Sequence, residues 1–112
     1  MCNVKPLRLN IRRADSYRDI KNRLKNAEIR LLRGCISRIK KDDMIYLSHG
    51  KESIIIYVDK LKIFPDFESM LENDLVKRAA SSTKLSSSFY EQFYDKSDMD
   101  RYNVVAIFFR LG

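Results

Sequence analysis

The run Val104-Val105-Ala106-Ile107-Phe108-Phe109 places six apolar residues in succession near the end of the chain, with no polar residue to mark a solvent face. A strand of this kind lies inside a fold with both faces covered, so the rest of the chain must supply two layers around it. The run is far shorter than the roughly 20 residues a membrane helix needs, as is Ile54-Ile55-Ile56-Tyr57-Val58. A membrane-spanning role is therefore not expected. At 112 residues the chain suits one domain, 1–112, with enough core to fold without a metal or a cross-link.

The other elements read from periodicity. Leu7, Leu9 and Ile11 alternate with Arg8, Asn10 and Arg12, the pattern of a half-buried strand. Asp15 and Ser16 offer capping oxygens to a helix of about three turns whose apolar side holds Tyr17, Ile20 and Leu24. Glu28 to Leu32 is expected to be extended, with a turn at Gly34. Met44 to Ser48 and Ser53 to Ile63 flank His49-Gly50-Lys51-Glu52, a hairpin signal, and the second of these strands is long enough to bend. Pro65 and Asp66 precede a short helix through Phe67, Met70 and Leu71. Ser81 to Ser88 lacks periodicity and is expected to be a mobile loop before an aromatic helical turn at Phe89, Tyr90, Phe93 and Tyr94. Phe64, Phe67, Phe93, Phe108 and Phe109 are assigned to the core.

Charge is segregated. Residues 1–41 carry 13 Lys and Arg against 3 Asp and Glu, a balance of +10, whereas the remainder is −3, giving +7 overall. If the early elements are neighbours, one face is strongly positive and attracts a polyanion, of which nucleic acid is the commonest inside cells. Arg8, Arg12, Arg13, Lys21, Arg33, Arg38, Lys40 and Lys41 can supply phosphate contacts, and Tyr17, Tyr46 and Tyr57 are candidates for stacking on unpaired bases. Cys2 and Cys35 have no CxxC or Cys/His spacing and are read as two reduced thiols. No metal or organic cofactor is implied, because there is no His/Cys cluster and no glycine-rich phosphate loop. The first ten residues lack a secretory pattern, so an intracellular protein is expected, cytoplasmic or nuclear.

The segment Arg23-Leu24-Lys25-Asn26-Ala27-Glu28-Ile29-Arg30 resembles the signature of the ASCH family, a branch of the PUA-like fold, whose pattern is G-x-K-x-x-E-x-R. Ile39 to Leu47 is similar to the family's I-K-V-G-D-x-I-x-F stretch, Phe67 to Leu71 to its S-F-E-E-M-L helix, and Tyr94 to Val105 to its terminal segment. Arg23, Asp42 and Asn103 stand where the family has glycine, which implies altered turns or backbone angles that need no glycine, least so at Asn103. The resemblance implies an α+β, mainly β, PUA-like barrel of about five to six strands with flanking short helices. It also implies a cleft containing Lys25, Glu28 and Arg30. Glu28 and Arg30, two apart on a strand, share one face, and Ile29 and Leu31 the other.

Three functions follow as expectations. The first is binding of RNA, single-stranded or locally unpaired, by Lys25 and Arg30 in the cleft and by the surrounding basic face. The second is metal-independent hydrolysis of RNA or a modified nucleoside, with Lys25 or Glu28 activating water and Glu72 or Asp74 as second acid. One hydrolase of the resembled family deacetylates acetylated cytidine, and it has threonine where this chain has Glu28, which cannot supply a hydroxyl nucleophile. The third is docking of a protein partner on the acidic and aromatic segment from Glu91 to Tyr102. His49 is expected to be a turn residue, since no second histidine exists for a two-histidine mechanism.

Overall fold

The computed structural model describes residues 6–80 and 86–112. In chain order it contains β1 (Leu7–Asn10), α1 (Ala14–Lys21), β2 (Ala27–Leu31), a 3₁₀ turn (Gly34–Arg38), β3 (Met44–His49) and β4 (Glu52–Phe64). There follow α2 (Phe67–Leu71), α3 (Asp74–Ala80), α4 (Ser87–Glu91), α5 (Lys96–Arg101) and β5 (Val104–Leu111). The strands form one mixed sheet in the order β1-β3-β4-β5-β2, parallel between β1 and β3 and antiparallel elsewhere. This is an α+β fold, a five-stranded half-barrel with short helices, and it fits the PUA-like barrel that the resemblance implies. The barrel is open rather than closed, with β1 and β2 as its edges.

Alternation along β5 divides the core in two. Val105, Ile107 and Phe109 join a cluster with Leu9, Tyr17, Ile20, Ile45, Leu47, Ile56 and Val58. Val104, Ala106 and Phe108 join the other, with Ala27, Ile29, Leu31, Phe67, Met70, Val76, Ala79 and Tyr90. Residues 104–109 are all buried, so the strand is covered on both faces as its composition requires.

Local chemistry explains the turns. Gly50 and Lys51 link β3 to β4, and the positive φ of 59° falls on Gly50, the first central position of a type II′ hairpin turn. His49 is the last residue of β3, paired with Glu52, rather than a loop residue; its ring stacks on Tyr17 and its Nδ1 lies 2.7 Å from the Ile11 carbonyl. The 13-residue β4 shifts register between Val58 and Lys60, an irregularity that lets a long strand bend. Asp66 caps α2 by accepting from the Ser69 N–H at 2.7 Å, and Ser86 caps α4 by accepting from Phe89 N–H.

Several expectations are corrected. Arg13, not Asp15 or Ser16, is the N-cap of α1; the Asp15 carboxylate instead accepts from the Arg13 guanidinium and the Ser16 N–H. Leu24 is exposed, because α1 ends at Lys21 and Arg23 then turns the chain away with φ of +64°. Asp42 has φ of +71°, so at both positions the backbone keeps the left-handed conformation that glycine favours, contrary to the expectation of altered turns. Helices α3 and α5 were not foreseen, and α5 buries none of its residues, so no periodicity announces it. Of the expected serine-rich loop, residues 81–85 lie outside the described residues, and Ser86 to Ser88 form the cap and first turn of α4. Cys35 is disulfide-bonded, which overturns the reading of reduced thiols; separation in sequence carried no information about separation in space, and Cys2 lies outside the described residues. Among the described residues no helix is long and apolar enough to cross a membrane.

Candidate functional site

Because the sheet does not close, β1 and β2 face a seam, and a cavity of about 410 Å³ opens there. Asn10 to Arg13 line one side, Glu28 to Leu31 another, and Phe89, Tyr90, Phe93 and Tyr94 a third. The β1–β2 gap is bridged by a side chain rather than a ladder: Arg30 Nη2 donates to the Asn10 carbonyl at 2.7 Å.

Lys25, Glu28 and Arg30 meet in this cavity wall. Lys25 Nζ lies 3.2 Å from Glu28 Oε1, and Arg30 donates to Glu28 Oε2 from Nε at 3.0 Å and Nη2 at 2.9 Å. The Glu28 side chain is 11% exposed, that of Lys25 10% and that of Arg30 24%. Burial alone raises the Glu28 carboxyl, but the adjacent charges of Lys25 and Arg30 outweigh it and hold the group below the ordinary glutamate value. Glu28 is thus an anion fixed between two cations, suited to orienting them and poor at taking a proton. As alternation requires, Ile29 and Leu31 point to the opposite face, into the second core cluster.

Around this trio the cavity sets cations against aromatic rings. Arg12, Arg13 and Arg33 also line it, giving five cationic side chains to one carboxylate. Arg13 lies over the Phe89 ring with 5.2 Å to its centroid, Arg12 over Phe93 at 6.0 Å and Arg33 over Tyr94 at 5.3 Å. The rings are braced from behind, with Phe67 stacked on Tyr90 and Tyr94 at 5.4 and 5.8 Å. Tyr90 is buried, and burial first, then the Glu28 charge, pushes its phenol upward, so it stays a neutral hydroxyl. Arg13 and Arg33 are in turn held by Asp15 and Asp98.

The remaining candidates lie elsewhere. Lys21 pairs with Glu52 on the surface, and Arg38, Lys40 and Lys41 are exposed around the 3₁₀ turn, none of them lining the cavity. Glu72 and Asp74, offered as second acids, are exposed at the α2–α3 junction and also off the cavity wall. Tyr17 is core, while Tyr46 and Tyr57 sit under Arg8 and Arg110 on another part of the sheet. The aromatic wall was missed as such: Phe93, assigned to the core, is half-buried in the cavity. Its signal was the spacing of Phe89, Tyr90, Phe93 and Tyr94, two adjacent pairs one helical turn apart. Among the described residues no His, Cys, Asp and Glu cluster could hold a metal ion.

Solved structures share this architecture. The crystal structure of the hypothetical protein PH0355 matches with a TM-score of 0.81 and 26% identity, over 95% of this chain and 98% of that one. The solution structure of PF0455 from Pyrococcus furiosus matches with a TM-score of 0.71 and 27% identity, over 94% and 96%. No protein-family model matches the chain, and no curated protein matches it.

Proposed function

We propose that this chain is an ASCH-like domain of the PUA-like fold that binds RNA, single-stranded or locally unpaired, in the cavity between β1 and β2. The observation that carries the reading is a cavity of about 410 Å³ whose lining sets arginines directly against aromatic rings. Cations contact phosphate, rings stack on bases, and unpaired bases are what such a surface takes from a polyanion. The family assignment is supported by the meeting of Lys25, Glu28 and Arg30 in one ion-paired group. It is supported again by Arg23 and Asp42, the non-glycine residues with positive φ among those described, which stand where the signature stretches carry glycine.

The test is a titration of single-stranded and duplex RNA across salt concentrations, with wild type beside Arg12→Ala and Phe93→Ala. Affinity should fall with salt, the logarithm losing roughly 0.7 for each phosphate contact per tenfold salt on a single strand. Arg12→Ala should reduce that slope, and Phe93→Ala should weaken binding by roughly 1–3 kcal/mol if a base stacks there. These side chains are exposed or half-buried, so the fold should survive. Absent or salt-insensitive binding refutes the reading.

Hydrolysis of RNA or of a modified nucleoside is the second reading, motivated by the Lys25–Glu28 contact of 3.2 Å in the cavity wall. Two features weigh against it: Glu28 is held ionised by two cations, and neither Glu72 nor Asp74 lines the cavity. Mass analysis of RNA recovered from the same titration separates the two, since binding alone leaves the mass unchanged.

A further inference from the structure

The helices cover only part of the sheet's outer face. Along β5 the side that carries Val104, Ala106 and Phe108 is packed under Phe67 and Met70 of α2, Val76 and Ala79 of α3 and Tyr90 of α4. The next residue on that side, Arg110, is exposed, so the cover stops there. Beyond it alternation fixes what β3 and β4 present. Ile45, Leu47, Ile56 and Val58 point into the first core cluster, which leaves Met44, Tyr46, Ile55 and Tyr57 on the outer face. Register sets these four side by side, Tyr46 opposite Ile55 and Met44 opposite Tyr57. Ile55 is 37% exposed, and the other three are half-buried with no element packed over them. Gly112 lies beside Ile55, its N–H on the Ile55 carbonyl at 2.9 Å, where a Cβ would come within 2.9 Å of the Tyr57 ring and 3.0 Å of an Ile55 methyl. Glycine at this place leaves the patch bare.

Charges frame the apolar strip at its two ends. At one end Arg8 of β1 lies over the Tyr46 ring with 5.1 Å to the centroid, and it has no carboxylate partner among the described residues. At the other end Asp42 and Asp59 share the guanidinium of Arg110, which lies over Tyr57. Lys60 lies past them over Phe108, at the border with the helices. Arg8 and Arg110 against Asp42 and Asp59 cancel, on a chain of +7. A neutral, apolar face on a strongly cationic molecule gives a polyanion little purchase, and it is where two copies approach with least repulsion.

We infer that this face, Met44, Tyr46, Ile55 and Tyr57 between Arg8 and the Asp42–Asp59 pair, is the contact of a two-fold dimer of the chain. An axis lying in the plane of the face and crossing the apolar strip lays each strip on its counterpart. It also sets Arg8 of each copy against the Asp42–Asp59 end of the other, so one complementary contact forms twice. Four residues at about 3.4 Å on each of three strands about 4.8 Å apart span on the order of 200 Å². With its charged rim the face stays below the roughly 800 Å² per partner of a stable interface, so the dimer is reversible. The inference is independent of RNA binding, whose cavity is lined by none of these six to eight residues.

The experiment is sedimentation equilibrium of the full chain from micromolar to millimolar concentration. The samples are wild type, Arg8→Asp, Asp59→Arg, an equimolar mixture of these two variants, and Ile55→Lys. All three positions are exposed, and circular dichroism and melting check that each variant is folded. Wild type should pass reversibly from monomer to dimer. Arg8→Asp, Asp59→Arg and Ile55→Lys should each raise the dissociation constant about tenfold or more. The mixture should recover association, because in the mixed dimer Asp at 8 faces Arg at 59 and the native Arg8 faces the native Asp59. A wild type that stays monomeric at millimolar concentration, an association indifferent to Ile55→Lys, or a mixture no tighter than either variant alone overturns the inference.

Discussion

Removing the Arg30 guanidinium leaves the Glu28 carboxylate, 11% exposed, facing Lys25 alone. Arg30→Met keeps the apolar stem and deletes two hydrogen bonds to Glu28 Oε2 and the one to the Asn10 carbonyl that ties β2 to β1. Breaking a fully buried ion pair costs about 3–5 kcal/mol. Arg30 is 24% exposed and Lys25 remains, so water screens part of the loss and about 2 kcal/mol is expected. For a domain of this size that corresponds to a melting temperature lower by about 8 °C.

Thermal and urea unfolding of wild type, Arg30→Met, Glu28→Gln and the double variant form a cycle that isolates the coupling. With Gln at 28 no buried anion awaits a partner, so Arg30→Met should then cost under about 1 kcal/mol. The pH dependence adds a second reading. The folded Glu28 carboxyl lies below its ordinary value, so in acid the unfolded chain binds its proton first. The stabilisation is therefore present above the ordinary glutamate range and lost as pH falls through the folded value. Glu28→Gln should flatten that part of the stability profile. Equal costs of Arg30→Met in both backgrounds, with no change in the acid slope, would refute the reasoning.

Arg23→Gly should stabilise the fold by about 1 kcal/mol, because Arg23 is exposed and holds φ of +64° where a side chain is strained; a lower melting temperature would show that Arg23 makes a compensating contact. Tyr17 carries the buried hydroxyl without a hydrogen-bond partner among the described residues, so Tyr17→Phe should be neutral or stabilising by about 1 kcal/mol, and a loss of that size in urea unfolding would contradict it. The Ser69 N–H lowers the Asp66 carboxyl by donating to it at the start of α2. Its capping contribution is thus present above the ordinary aspartate range and lost as pH falls through the lowered value, and Asp66→Asn should keep the cap while removing that acid dependence from the denaturation profile.

What the amino-acid order determined was local. The run from Val104 to Phe109 had to be a strand covered on both faces, because no residue in it could face water. The hairpin at Gly50 and the long bending strand after it were readable for the same reason, since turn chemistry and a period of two act between near neighbours. Alternation placed Glu28 and Arg30 on one face of β2 before any fold was known. The outcome at Arg23 and Asp42 was not readable, because an intrinsic preference of about 1–2 kcal/mol per residue is overridden when packing on either side fixes the turn. Helix α5, without buried residues, left no apolar period to find. The cavity itself belongs to the tertiary structure: it exists because β1 and β2 end up as facing edges of an unclosed sheet. Phe93 could pass for core in one dimension, since a ring that packs and a ring that walls a cavity have the same sequence signature. The basic segment, likewise, gave a charge but not a face. Folding sent Arg12, Arg13, Lys25, Arg30 and Arg33 to the seam and left Lys21, Arg38, Lys40 and Lys41 outside it, because long-range strand pairing decides which charges become neighbours.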